Sequence, residues 1–139
     1  MRTWKKIISD VLEQKKQRGW EKLYWAVDLH DTVITGKYNK FNHGSALLPG
    51  AKNVLDYLYN HESHRTILWT SSYKEAAMDA CQLFDLKFHY FNENPECPNS
   101  DLCDFQRKIY FNFLLDDKAG FDAVNGDWFE IYDALVENR

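Results

Sequence analysis

The sequence predicts an α/β domain: a mainly parallel sheet with helices on both faces, in a Rossmann-like three-layer arrangement without a cap domain. Two observations predict it. Short, largely apolar runs alternate with helical patterns along the chain, and three of them give way abruptly to polar residues, at Asp28, at Thr70 and at Asp116-Asp117. At 139 residues there is room for one sizeable core, so a single domain is expected over residues 1–139, with an N-terminal helix (1–20) ahead of the core (21–139).

The elements follow in order. Thr3 to Arg18 reads as an amphipathic helix, because Trp4, Ile7, Ile8, Val11 and Leu12 recur on one helical face between a capping Thr3 and a terminating Gly19. Packing on the domain is the plain expectation for that face, and a partner- or membrane-binding helix the sharper one. Leu23 to Val27 is a continuous apolar run, as in a strand buried on both faces. A turn-rich stretch from Gly36 to Pro49 precedes a helix to Asn60, with Pro49 in its first turn and Val54, Leu55 and Leu58 on its apolar side. Thr66 to Thr70 is the second strand, and Ser72 with Glu75 has capping-box spacing for the next helix. Lys87 to Phe91 is a third strand, Asn92 to Asp104 a loop, and Ile109 to Leu115 a fourth strand. Trp128 to Ile131 reads as a fifth strand and Tyr132 to Glu137 as a short closing helix. Right-handed crossovers would bring Asp28, Thr70 and Asp116-Asp117 to one sheet edge, where ligands bind in open α/β sheets.

Composition narrows the class. Hydrophobic residues make up 45% and charged residues 27%, as in an ordinary globular protein, and the net charge of −4 argues against a general nucleic-acid binder. No apolar run reaches the length of a membrane span, the first residues lack a signal-peptide core, and a cytoplasmic location is expected. Three cysteines, Cys81, Cys97 and Cys103, suggest reduced thiols; with His89 they do not offer the paired spacings of a zinc site. The stretch His61 to His64 has a single Glu-Ser between its histidines and is not a metalloprotease motif.

Two or three carboxylates beside a hydroxyl suit a hard cation such as Mg²⁺, and an added lysine suits a phosphoryl group. Asp28-Leu29-His30-Asp31-Thr32-Val33 after an apolar strand resembles the first motif, Asp-x-Asp-x-Thr, of the haloacid dehalogenase-like superfamily. Leu68-Trp69-Thr70 resembles its second motif, Lys108 stands where the third-motif lysine would, and Leu114-Leu115-Asp116-Asp117 resembles the acidic fourth. They occur in the family's order from Trp25 to Trp128, most like its small capless hydrolase-like members. The resemblance implies a phosphatase in which Asp28 is the nucleophile and forms an aspartyl-phosphate. It also implies Mg²⁺ held by Asp28, the His30 carbonyl, Asp116 and Asp117, with Thr70 on a phosphoryl oxygen and Lys108 paired to Asp28.

The chain departs from the pattern at His30, where the family's phosphatases carry an acid–base Asp. Strand alternation points Asp28 and His30 one way and Asp31 the other. A histidine, whose unperturbed pKa is about 6.5, suits proton transfer near neutrality; the alternatives are slow hydrolysis of the aspartyl-phosphate, or binding of phosphate or metal without turnover. The short gaps between motifs leave no room for a cap. An open site fits a nucleic-acid end or a phosphoprotein, a second subunit covering it, or a small nucleotide if the Gly36–Pro49 and Asn92–Gln106 loops fold over, with Tyr38, Phe41 and Phe91 available to stack on a base. The rival expectation is an inactive descendant that binds a phosphorylated ligand or a protein partner. Phosphotransfer or dehalogenation is a further rival, the latter disfavoured by the acidic pair.

Overall fold

The computed structural model describes residues 3–35, 46–100, 103–105 and 108–138. Most of the turn-rich stretch, with Tyr38, Phe41 and His43, lies outside the described residues, as do Gln106 and Arg107. Helix α1 (Trp4–Arg18) starts at Thr3, whose hydroxyl accepts the Lys6 N–H at 3.2 Å, and ends at Gly19 in the left-handed region. Strand β1 (Leu23–Val27) is buried throughout. Then come α2 (Ala51–Asn60), β2 (His64–Leu68), α3 (Lys74–Leu83), β3 (Tyr90–Phe91), β4 (Phe113–Leu115), a 3₁₀ turn (Asp117–Ala119) and α4 (Asp127–Glu137).

The four strands form one parallel sheet in the order β3-β2-β1-β4, with helices packed around it. Leu23, Trp25, Val27, Leu68, Phe113 and Leu115 share one apolar core with Ile8 of α1, Val54, Leu55 and Leu58 of α2, Ala77 and Cys81 of α3, and Trp128, Ile131 and Leu135 of α4. The apolar face of α1 is therefore turned inward, and Lys5 ties that helix to Glu137 at 2.9 Å. On the alternate side of β1, Tyr24 meets Tyr110 edge-on at 5.8 Å and donates to Glu96 at 3.3 Å, so the connection between β3 and β4 covers that part of the second face. Glu96 also accepts from Lys22 and Arg65, each at 3.0 Å, and from the Tyr90 hydroxyl. These donors hold its carboxyl at about 2, against the cost of its own burial.

Several boundaries move for reasons that side chains supply. Strand β2 ends at Leu68 rather than Thr70, because the Asn92 amide takes both the Thr70 N–H (2.9 Å) and the Thr70 carbonyl (2.8 Å). Strand β3 has only two residues because the His89 ring accepts the Thr66 N–H at 2.8 Å, where the ladder would continue. Strand β4 starts at Phe113 because the Asn112 side chain accepts the Tyr24 N–H at 2.7 Å. The capping box does not form: Tyr73 precedes α3 and the Ser72 N–H goes to the Thr70 hydroxyl at 3.1 Å. Pro49 lies ahead of α2, whose start is Gly50 at φ 84; a Cβ there would fall 3.0 Å from the Trp128 Cβ, so glycine is required on both counts. Trp128 to Ile131 is not a strand. It opens α4, whose buried Trp128, Ile131, Ala134 and Leu135 recur at helical spacing, and the expected closing helix is the second half of the same element.

His64, at the start of β2, is buried and accepts the Trp25 indole N–H at 3.0 Å on Nδ1. Burial, aided by the nearby His61 and Lys15, pushes its pKa down to about 4. The unfolded chain, with an ordinary histidine, binds more protons between about 4 and 6.5, so stability should fall as pH drops through that window, by about 3 kcal/mol in total. Urea unfolding of wild type and His64→Gln at pH 7 and pH 4 checks this. The wild type should lose more stability on acidification than the variant; equal losses would rule out His64 as the cause.

Candidate active site

One row of residues crosses the sheet at the end of its pairing: Phe91, Leu68, Val27 and Leu115 are in register. The chain positions that follow them are Asn92, Trp69, Asp28 and Asp116. Parallel pairing thus brings the ends of β1 and β4 together, and the Asp28 N–H still bonds the Leu115 carbonyl at 2.9 Å. Carboxylate oxygens of Asp28, Asp116 and Asp117 all lie within 4.8 Å of one another, and each residue is half-buried.

The loop after Asp28 is built to hold this arrangement. The Val33 and Ile34 N–H groups both bond the Leu29 carbonyl, at 2.9 and 3.1 Å, and Asp31 takes a left-handed conformation (φ 63) at the turn. Leu29, Thr32, Val33 and Ile34 anchor the loop in the core. Thr32 is fully buried; its hydroxyl accepts the Asp117 N–H at 3.1 Å, and its carbonyl accepts the Trp128 indole N–H at 2.7 Å. Asp116 caps the 3₁₀ turn by accepting the Lys118 N–H at 2.9 Å.

Asp28 pays for this crowding electrostatically. Burial first, then the negative charge of Asp116 and a hydrogen bond with Asp117, push its carboxyl up to about 7, against a small opposing pull from the Leu29 N–H. In the absence of a cation the Asp28 carboxyl therefore keeps its proton well above the usual carboxylate range. The donor set is all oxygen and anionic, which fits Mg²⁺.

The other expected residues divide. Thr70 sits two residues beyond the paired row on the β2 side, held by Asn92, and its hydroxyl accepts the Ser72 N–H, which leaves its own hydrogen to donate. His30 is half-buried, two residues past Asp28, with a bridge from its position to Ile34; its side chain is not part of the carboxylate cluster. Lys108 is not brought to the site. It is exposed, no ion pair joins it to Asp28 among the described residues, and the chain that follows it runs beside Tyr24 rather than Asp28. Reasoning from sequence missed Asn92, which sets the Thr70 backbone, and Trp128, which braces Thr32. Asn92 directly follows the apolar run that ends at Phe91, and the structure holds it at φ 51, a conformation asparagine tolerates better than most residues.

The fold and the carboxylate cluster define an α/β protein with a candidate cation site at the carboxyl edge of a parallel sheet. No family model and no curated protein matches the chain. A solved structure of a conserved protein from Bacteroides thetaiotaomicron is similar, with 25% sequence identity over 85% of this chain and 93% of that one, at a TM-score of 0.61. No helix among the described residues is long and apolar enough to cross a membrane.

Proposed function

We propose that this protein is a Mg²⁺-dependent phosphoric monoester hydrolase of the haloacid dehalogenase-like kind, working through an aspartyl-phosphate on Asp28. The observation that carries the reading is the meeting of Asp28, Asp116 and Asp117 within 4.8 Å at the carboxyl ends of adjacent parallel strands, in the order along the chain that the resemblance requires. Mg²⁺ would be held by these carboxylates and the His30 carbonyl, and would supply neutralisation of phosphoryl charge.

Each step has a residue of this chain for it. The Asp28 carboxylate attacks phosphorus as the bond to the ester oxygen breaks, and His30 gives that oxygen a proton. His30 then takes a proton from the water that attacks the acyl-phosphate, which returns Asp28 as carboxylate and releases phosphate. Thr70 donates its hydroxyl hydrogen to a phosphoryl oxygen. The substrate is a phosphate ester, whether nucleotide, nucleic-acid end or phosphoprotein. A cytoplasmic setting accords with three free cysteines. The remoteness of Lys108 supports a second reading, in which the site binds a phosphorylated ligand or a partner and turns over slowly.

The test is hydrolysis of an aryl phosphate with and without Mg²⁺. Turnover should require the cation and should fall at least a thousandfold in Asp28→Asn. Activity that is indifferent to both changes would refute the reading. Silence in the wild type with activity in His30→Asp would select the slow site.

A further inference from the structure

We infer that Lys74 forms an anion-binding subsite beside the phosphoryl site, which selects phosphate esters whose alcohol portion carries a second negative group, a carboxylate or a further phosphate. The inference rests on the hydrolase reading for the place of the scissile phosphate, and on register for the place of Lys74.

The Asn112 N–H bonds the Tyr24 carbonyl at 2.8 Å and its side chain accepts the Tyr24 N–H at 2.7 Å. Tyr24 precedes Asp28 by four strand positions, about 13 Å. Lys108 lies four residues further back along the chain, so the cation expected from the sequence belongs to the opposite end of the strands. Lys74, by contrast, is the first residue of α3, and its ammonium stands 5.8 Å from the centre of the Phe91 ring. Phe91 closes the row that includes Leu68 and Val27, so this charge lies at the β3 end of the row that Asp28 follows. No carboxylate among the described residues pairs with it.

Distance decides what it touches. Strands β1 and β3 flank β2, so their axes are about 10 Å apart. A phosphoryl group on Asp28 lies nearer β1, with the carboxylates on its β4 side and Thr70 on its β2 side. The Lys74 ammonium, against Phe91 of β3, would then lie on the far side of β2, within reach of a group a few bonds past the ester oxygen. The Phe91 ring borders that position with aromatic surface.

The test uses two non-hydrolysable ligands of similar size, 4-phosphonobutyrate and butylphosphonate, titrated calorimetrically into the full chain with Mg²⁺. Wild type should bind 4-phosphonobutyrate roughly fivefold more tightly, the scale of a partly exposed ion pair. Lys74→Met should close that gap and Lys74→Arg should keep it. Equal affinities in wild type, binding of neither ligand, or a gap that persists in Lys74→Met would overturn the inference. Mg²⁺-dependent hydrolysis of aryl phosphate without the gap would leave the hydrolase reading standing and remove Lys74; the gap without hydrolysis would do the reverse.

Discussion

In the absence of divalent cations, Asp28→Asn is expected to be more stable than wild type at pH 8 by about 2 kcal/mol, while losing the proposed turnover entirely. The sign follows from the raised carboxyl. Asp28 moves from 3.8 to about 7 on folding, so between those values the folded state holds more protons than the unfolded one, and stability falls as pH rises through the window. At about 1.4 kcal/mol per pKa unit the whole shift would amount to about 4 kcal/mol. Asp28 is only half-buried, and solvent screening reduces this by about half. Asparagine has no proton to lose and escapes the penalty. Urea unfolding in a chelating buffer should therefore show the variant more stable at pH 8 and the two proteins converging near pH 4. Added Mg²⁺ should raise the wild-type midpoint and leave the variant nearly unchanged, because the cation binds the folded carboxylates. A variant no more stable than wild type at pH 8 would mean that the three carboxylates do not repel one another as their geometry requires.

Trp128→Ala should cost about 3–5 kcal/mol of stability, enough to lower the thermal midpoint by roughly 10 °C or more. Trp128 is fully buried, meets Phe121 edge-on at 4.8 Å, and bonds the Thr32 carbonyl through its indole N–H. The substitution removes a large apolar volume and orphans that carbonyl together. Trp128→Phe separates the two effects: most of the volume remains, and the unpaired carbonyl costs about 1–3 kcal/mol. Because Thr32 also receives the Asp117 N–H, the Phe variant should lose activity beyond what its stability predicts, measured at a temperature where it is fully folded. Urea unfolding of the two variants is the check. A loss below about 1 kcal/mol for Trp128→Ala would sink this account of the core.

How much of this was legible in the sequence depended on which residues carry the information. Continuous apolar runs report burial on both faces, so Leu23–Val27 was readable to the residue. The ends of β2, β3 and β4 were not, because Asn92, His89 and Asn112 terminate the ladders with side-chain hydrogen bonds between residues far apart in the chain. Trp128 to Ile131 has the composition of a strand; its place in a helix comes from the Gly126 turn ahead of it and from a core that accepts Trp128, Ile131 and Leu135 on one side.

The sequence by itself determined the α/β class and the meeting of three carboxylates, because strands that run parallel must end at one edge, whatever the detail of their pairing. Only the tertiary structure decided where the lysines lie relative to that edge. Lys108 and Lys74 are alike as letters; the register of β4 on β1 places the chain after Lys108 beside Tyr24, and the start of α3 sets the Lys74 ammonium 5.8 Å from the centre of the Phe91 ring.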